Sequence, residues 1–189
     1  MSRFCLAQDI YIIQGGIRMS GFLTPKEAEF ISSLKKLKLL RRFKVEELQG
    51  LTRNGGIAII CGDGDIDASR FHRKFVARPH EKKDFGGILL LCPSFRGYDE
   101  TRAKRMLENI AWGMEAKATS SIFPYPHWPC GVGAKFGHTL EEIINMIPEG
   151  IEILRNNEFF QTDKITPFLH VKRINRAGKE EQNSYIIEV

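Results

Sequence analysis

Two five-residue apolar runs constrain this chain more than any other feature. Ile57-Ala58-Ile59-Ile60-Cys61 and Ile88-Leu89-Leu90-Leu91-Cys92 each follow a Gly-Gly pair. Both are far shorter than the roughly 20 residues that cross a bilayer, so neither is a membrane span. Short, unbroken apolar runs suit strands covered on both faces in a parallel sheet, and they imply two βα units.

The elements around them fit that frame. Residues 1–23 carry Gly15, Gly16 and Gly21 without a sustained period and read as an irregular arm. Thr24-Pro25-Lys26-Glu27 supplies an N-cap, a first-turn proline and a returning glutamate, which predicts a helix to about Phe43, with a short turn over Val45–Leu51. A second helix is expected over Tyr98–Ala118, capped by Asp99, with Met106, Met114 and Trp112 taken into the core. Ser121–Tyr125 reads as a third strand, and Thr139-Leu140-Glu141-Glu142 opens a helix to about Asn156. Ile165–Ile174 and Ser184–Val189 form a hairpin through Asn175–Gly178. The expectation is one α/β domain over residues 1–189, with residues 1–50 as its N-terminal arm and helix. It has three layers: a mainly parallel central sheet, flanking helices and C-terminal hairpin strands. A chain of 189 residues is long enough for one such core.

Charge adds little. The 28 Lys and Arg against 23 Asp and Glu give a net +5, concentrated in Lys35, Lys36, Lys38, Arg41, Arg42 and Lys44. Leucines interleave that block, so it reads as a solvated helix face, and nucleic acid is not an expected partner. No membrane partner is expected either. The first residues lack the pattern of a secretory leader, and the cysteines at 5, 61, 92 and 130 are widely spaced, so a cytoplasmic, reducing location is expected. Asp63-Gly64-Asp65-Ile66-Asp67 is not a calcium loop, because Ala68 and Lys74 stand where Gly and Glu are needed. Nucleotide-binding glycine motifs are absent. His72 and His80 lie in a polar stretch expected to be a surface loop or short helix, His138 at a helix entry, and His170 inside a strand.

Three residues with metal-binding chemistry fall where open α/β sheets gather ligands, beyond the carboxyl ends of strands. Cys61 ends the first core strand, and His127-Trp128-Pro129-Cys130-Gly131 follows the third. The two-residue gap lets His127 and Cys130 turn toward one atom. Two thiolates and one imidazole make a zinc-type set with a fourth position left for water or Asp.

Cys61-Gly62-Asp63 followed by His127-x-x-Cys130-Gly131 resembles the zinc signature of the beta-class carbonic anhydrases. That signature is Cys-x-Asp-x-Arg at a strand end, then His-x-x-Cys. The order of elements over residues 24–156 is similar too. The resemblance implies that Cys61, His127 and Cys130 bind Zn²⁺ and that Asp63 orients a zinc-bound hydroxide for hydration of CO₂ or a close analogue, COS or CS₂. It also implies a homodimer. The chain departs from the family at Asp65, which stands where the family has Arg. In the family that Arg holds the Asp away from the metal, so its loss frees Asp63 to close the site as a fourth ligand. The alternative is then a catalytically silent zinc protein acting in structure, regulation or protein interaction. Arg70 and Arg96 are the two candidates to replace the missing guanidinium as catalytic partner of Asp63, and the sequence leaves both open. Phe71, Phe95, Phe123, Tyr125 and Trp128 are candidates to line a small apolar pocket.

Overall fold

The computed structural model describes residues 12–13, 16–17, 22–63, 66–76, 79–175 and 177–189; most of the expected arm, Cys5 and Asp65 lie outside the described residues. Two short strands, β1 (Ile12–Ile13) and β2 (Gly16–Ile17), pair antiparallel. Thr24 then caps α1 (Pro25–Lys36), its hydroxyl taking the Glu27 N–H while the Glu27 carboxylate takes the Thr24 N–H.

The sequence predicts this helix to Phe43, but it stops at Lys36. Lys38 turns left-handed at φ 61°, and Leu40, only 2% exposed, joins β3 (Leu40–Arg41) opposite Ile187. Burial of Leu40 against a sheet edge outweighs the modest helical preference of the run. The basic block is thereby divided between a helix end, a strand and a loop. A second helix, α2 (Val45–Thr52), leads to β4 (Gly56–Cys61), every residue of which is buried.

β4 explains the three layers. Its side chains alternate, with Ile57, Ile59 and Cys61 in one core cluster and Ala58 and Ile60 in another. The first cluster is closed by α4 (Glu100–Lys117) and α6 (Leu140–Arg155), and the second by α2 and α3 (Ile66–Phe75). Ile57, Ile59 and Ile60 are fully buried, each contributing roughly 1.5–3 kcal/mol of transfer free energy.

Two sheets meet beside β6 (Ile122–Tyr125). β5 (Pro79–Asp84), β4 and β6 form an all-parallel sheet in that neighbour order β5-β4-β6. β7 (His127–Trp128) runs parallel to β8 (Phe168–Ile174), which pairs antiparallel with β9 (Glu180–Ile187), and β3 closes that mixed sheet. The segment holding β8 lies alongside β6 as well, with Ile122 N–H on the Lys164 carbonyl and His170 N–H on that of Pro126. Ile122, Pro124 and Pro126 share one strand edge by the two-residue repeat, and prolines have no N–H to donate. The ladder therefore breaks between two halves that remain side by side.

Three expectations need correction. The run Ile88–Cys92 is no strand. Gly87–Leu91 forms a buried 3₁₀ turn entered through left-handed Gly86 and Gly87, packed under α6, where Gly150 brings the helix backbone close to Ile88 and Cys92. The polar stretch expected as a surface loop or short helix supplies part of α3 and the whole of edge strand β5. Trp112 faces outward, 61% exposed, beneath the Lys82 ammonium at 5.2 Å. The core face of α4 is built instead from Ala103, Met106, Leu107, Ile110 and Met114. The predicted caps at Asp99 and Thr139, the strand at β6 and the C-terminal hairpin are all present. No helix among the described residues is long and apolar enough to cross a membrane.

Candidate metal centre

The parallel strands deliver four potential ligands to one point. Cys61 is the last residue of β4. The chain turns at Gly62, whose N–H is held by the Asp84 carbonyl at 2.8 Å, and this turn brings Asp63 back over the strand end. His127 opens β7, just past the proline seam, and Cys130 caps the short helix α5 (Gly131–Lys135). One donor atom from each of Cys61, Asp63, His127 and Cys130 lies within 4.8 Å of the others. The sequence-predicted set thus converges, Asp63 included.

The distances suit a metal at the sulfur end. Cys61 Sγ and Cys130 Sγ are 4.0 Å apart, against about 3.8 Å for the edge of a tetrahedron with Zn–S bonds near 2.3 Å. At the other end Asp63 Oδ1 lies 2.8 Å from His127 Nε2. That is shorter than the edge of about 3.3 Å set by Zn–N and Zn–O bonds near 2.0 Å. A metal entering between these two groups exchanges their direct contact for two coordinate bonds.

Backbone donors prepare the site for negative charge. Gly86 N–H reaches Cys61 Sγ at 3.2 Å, Gly133 N–H reaches Cys130 Sγ at 3.4 Å, and Gly131 N–H reaches Asp63 Oδ2 at 2.7 Å. The hydrogen bond with Cys130, together with a weaker one from His127, prevails over burial and lowers the Cys61 thiol to about 6. The same hydrogen bond, with burial, pushes Cys130 upward, so ionisation of one thiol opposes ionisation of the other. Burial opposes ionisation of Asp63. The hydrogen bond and charge of His127, with the Gly131 N–H, overcome it and hold the carboxyl well below the usual range.

Of the two arginines expected as a substitute partner, Arg96 is engaged away from Asp63. Arg96 spends its guanidinium on the Phe136 and Gly137 carbonyls and on Glu142, and Arg70 is an exposed residue of α3. The Gly131 N–H and His127 hold the carboxylate. The other histidines lie outside the cluster. His138 accepts the Arg96 N–H at 3.1 Å and stacks on Phe95, and His170 meets Gln182 at 2.8 Å. His72, expected at the surface, is wholly buried, with Nδ1 3.0 Å from the Tyr125 hydroxyl. His80 is half-buried in β5 beside Trp112.

A cavity of about 520 Å³ opens beside Asp63 and Gly131. Of the aromatics expected to line a pocket, only Phe95 does so. Phe71, Phe123 and Tyr125 sit in the core on the opposite face of the sheet, and Trp128 is buried in the core on the α4 and α6 face. Phe85, Phe136, Arg102 and Lys135 line the cavity and were not anticipated from sequence. Phe136 and Lys135 follow Cys130 within six residues, the one sequence signal that points to any of them; Phe85 and Arg102 have none. No known family model matches the chain, and no curated protein is similar to it in sequence.

Proposed function

We propose that Cys61, His127 and Cys130 hold a zinc ion, with Asp63 as a displaceable fourth ligand, and that the centre hydrates CO₂ or a close analogue such as COS or CS₂. The observation that carries this reading is the convergence of the four donor atoms within 4.8 Å at the strand ends. Two thiolates and an imidazole favour zinc over harder cations. Zinc bound there supplies a water that ionises at about pH 7 in an open site. The protein's own residues do the rest. Asp63 accepts a hydrogen bond when it is off the metal, Gly131 N–H fixes its second oxygen, and the adjacent cavity admits the substrate.

The position of Asp63 inside the ligand cluster favours a second reading, in which the carboxylate keeps the fourth position and the protein is a silent zinc-binding member of a beta-carbonic-anhydrase-like fold. Stopped-flow assays with CO₂, COS and CS₂ from about pH 6.5 to about 9 separate the two. The catalytic reading expects activity that rises with pH as water displaces Asp63. A zinc-loaded chain inactive on all three substrates leaves the silent reading. Purified protein should carry about one zinc per chain; zinc absent and not restored by added metal defeats both readings. We also propose a cytoplasmic homodimer that uses the exposed Leu37 and Leu39 near the end of α1. Sedimentation equilibrium returning the 21.6 kDa of a single chain refutes the dimer.

A further inference from the structure

The cavity beside Asp63 is built for something larger than CO₂. Its volume of about 520 Å³ lies in the range of about 300–1,000 Å³ typical of sites for organic ligands. One wall is aromatic: the rings of Phe95 and Phe136 meet edge to face at 5.1 Å. Gly97 leaves room for that wall, because a Cβ there would lie 2.6 Å from the Phe136 ring and 2.8 Å from that of Phe95. At the mouth stands Phe85, 60% exposed, an apolar ring whose remaining surface a ligand would cover.

The polar end of the cavity is cationic. Arg102 is fixed by the Asp84 carboxylate at 2.6 Å through Nη2 alone, which leaves Nε and Nη1 for another acceptor. Lys135 lines the same cavity and has no acidic partner among the described residues. Beyond Arg102 a second cavity, about 250 Å³, is lined by Lys82, Lys83 and Arg105, with Asp84 its one acid. Arg102 and Lys135 outnumber Asp63, the one acid in this lining, so an anion is drawn to the cavity. Neutral hydrocarbons make no use of the arginine, and cations are repelled by it.

We infer that this cavity binds an apolar carboxylate, its body against Phe85, Phe95 and Phe136 and its carboxylate on Arg102. The inference does not depend on the metal, since none of these residues belongs to the ligand set. A bound acid would occupy the approach to Asp63 and so govern access to the centre.

The test is calorimetric titration of the full chain with 3-phenylpropanoate, with zinc and after zinc removal, and with 3-phenylpropanamide as the neutral probe. Saturable one-site binding is expected in both metal states, weakened about 10-fold or more by the amide or by Arg102→Gln, because a charge-assisted hydrogen bond is lost. Arg102→Lys should restore part of the affinity, and circular dichroism verifies that each variant is folded. Phe136→Ala should weaken the acid and the amide alike. No saturable binding overturns the inference. So does binding that is indifferent to Arg102→Gln, and so does binding that requires zinc, which would place the carboxylate on the metal. If the zinc reading alone fails, binding by the metal-free chain still stands.

Discussion

Residues 55–61 and 86–92 share a pattern, Gly-Gly-Ile, three apolar residues and Cys, yet one is the central strand and the other a 3₁₀ turn. The first is rich in isoleucine, whose branched Cβ suits a pleated strand, while the second is rich in leucine, which carries no such preference. The glycines differ too. Gly56 sits in the strand with the Phe123 ring over it, whereas Gly87 is left-handed and lies against the backbone of Cys61, where a Cβ would meet the nitrogen at 3.0 Å. The second segment is therefore shaped to end β4, and its Gly86 N–H points at the Cys61 sulfur. The cysteines diverge accordingly: Cys61 is lowered to about 6, while burial pushes Cys92 up to about 12 and its thiol bonds to the Met146 carbonyl. Identical patterns thus supply a potential metal ligand in one case and its hydrogen-bonding support in the other.

The strongest test of this contrast exchanges the two cysteines for serine in turn. Cys61→Ser should lower zinc affinity about 100-fold or more, and Cys92→Ser should leave stoichiometry unchanged, read by competition with a chromophoric chelator. Next comes Gly87→Ala, expected to cost about 4 kcal/mol in urea unfolding, because strain at φ 53° adds to overpacking against Cys61.

The pH dependence of β4 follows. His72, beneath the strand, is held at about 4 by burial, against weaker opposing contributions that include Glu81 and the Gly56 backbone. Above about pH 6.5 both folded and unfolded forms keep it neutral; between about 6.5 and about 4 the unfolded chain alone takes the proton. Stability should fall on the order of 3 kcal/mol across that window and then level off. His72→Gln should flatten this part of the profile. A comparable loss, about 3 kcal/mol, is expected from Gly56→Ala, because its Cβ would lie 2.1 Å from the buried Phe123 ring, which must shift.

Local chemistry made much of this molecule legible. Caps at Thr24, Asp99 and Thr139 mark helix starts because the bonds they make are within a few residues. The candidate ligand cluster was visible because strand ends gather function, and Cys61 and His127-x-x-Cys130 sit at two of them. What escaped depends on distant partners. The end of α1 is decided by Ile187, far along the chain, and the fate of Leu89–Leu91 by packing under α6. β5 showed no apolar period because, among the described residues, it has a strand neighbour on one side only, and an edge strand tolerates Pro79 and charged side chains. The cavity draws on Phe85, Arg102 and Phe136 from three separate segments, and no spacing in the sequence brings them together.

That one-sided strand has a consequence for how the molecule behaves in a crowd. An open sheet edge is a template on which further strands can grow into fibrils. β5 presents His80, Glu81, Lys82, Lys83 and Asp84 in succession, so charge stands on both faces of the edge. A strand arriving there would bury ammonium groups and set its own copies of Lys82 and Lys83 near them, at a cost its backbone bonds do not recover. The charges that hid this strand from a reading of apolar patterns are the same ones that keep the sheet finite.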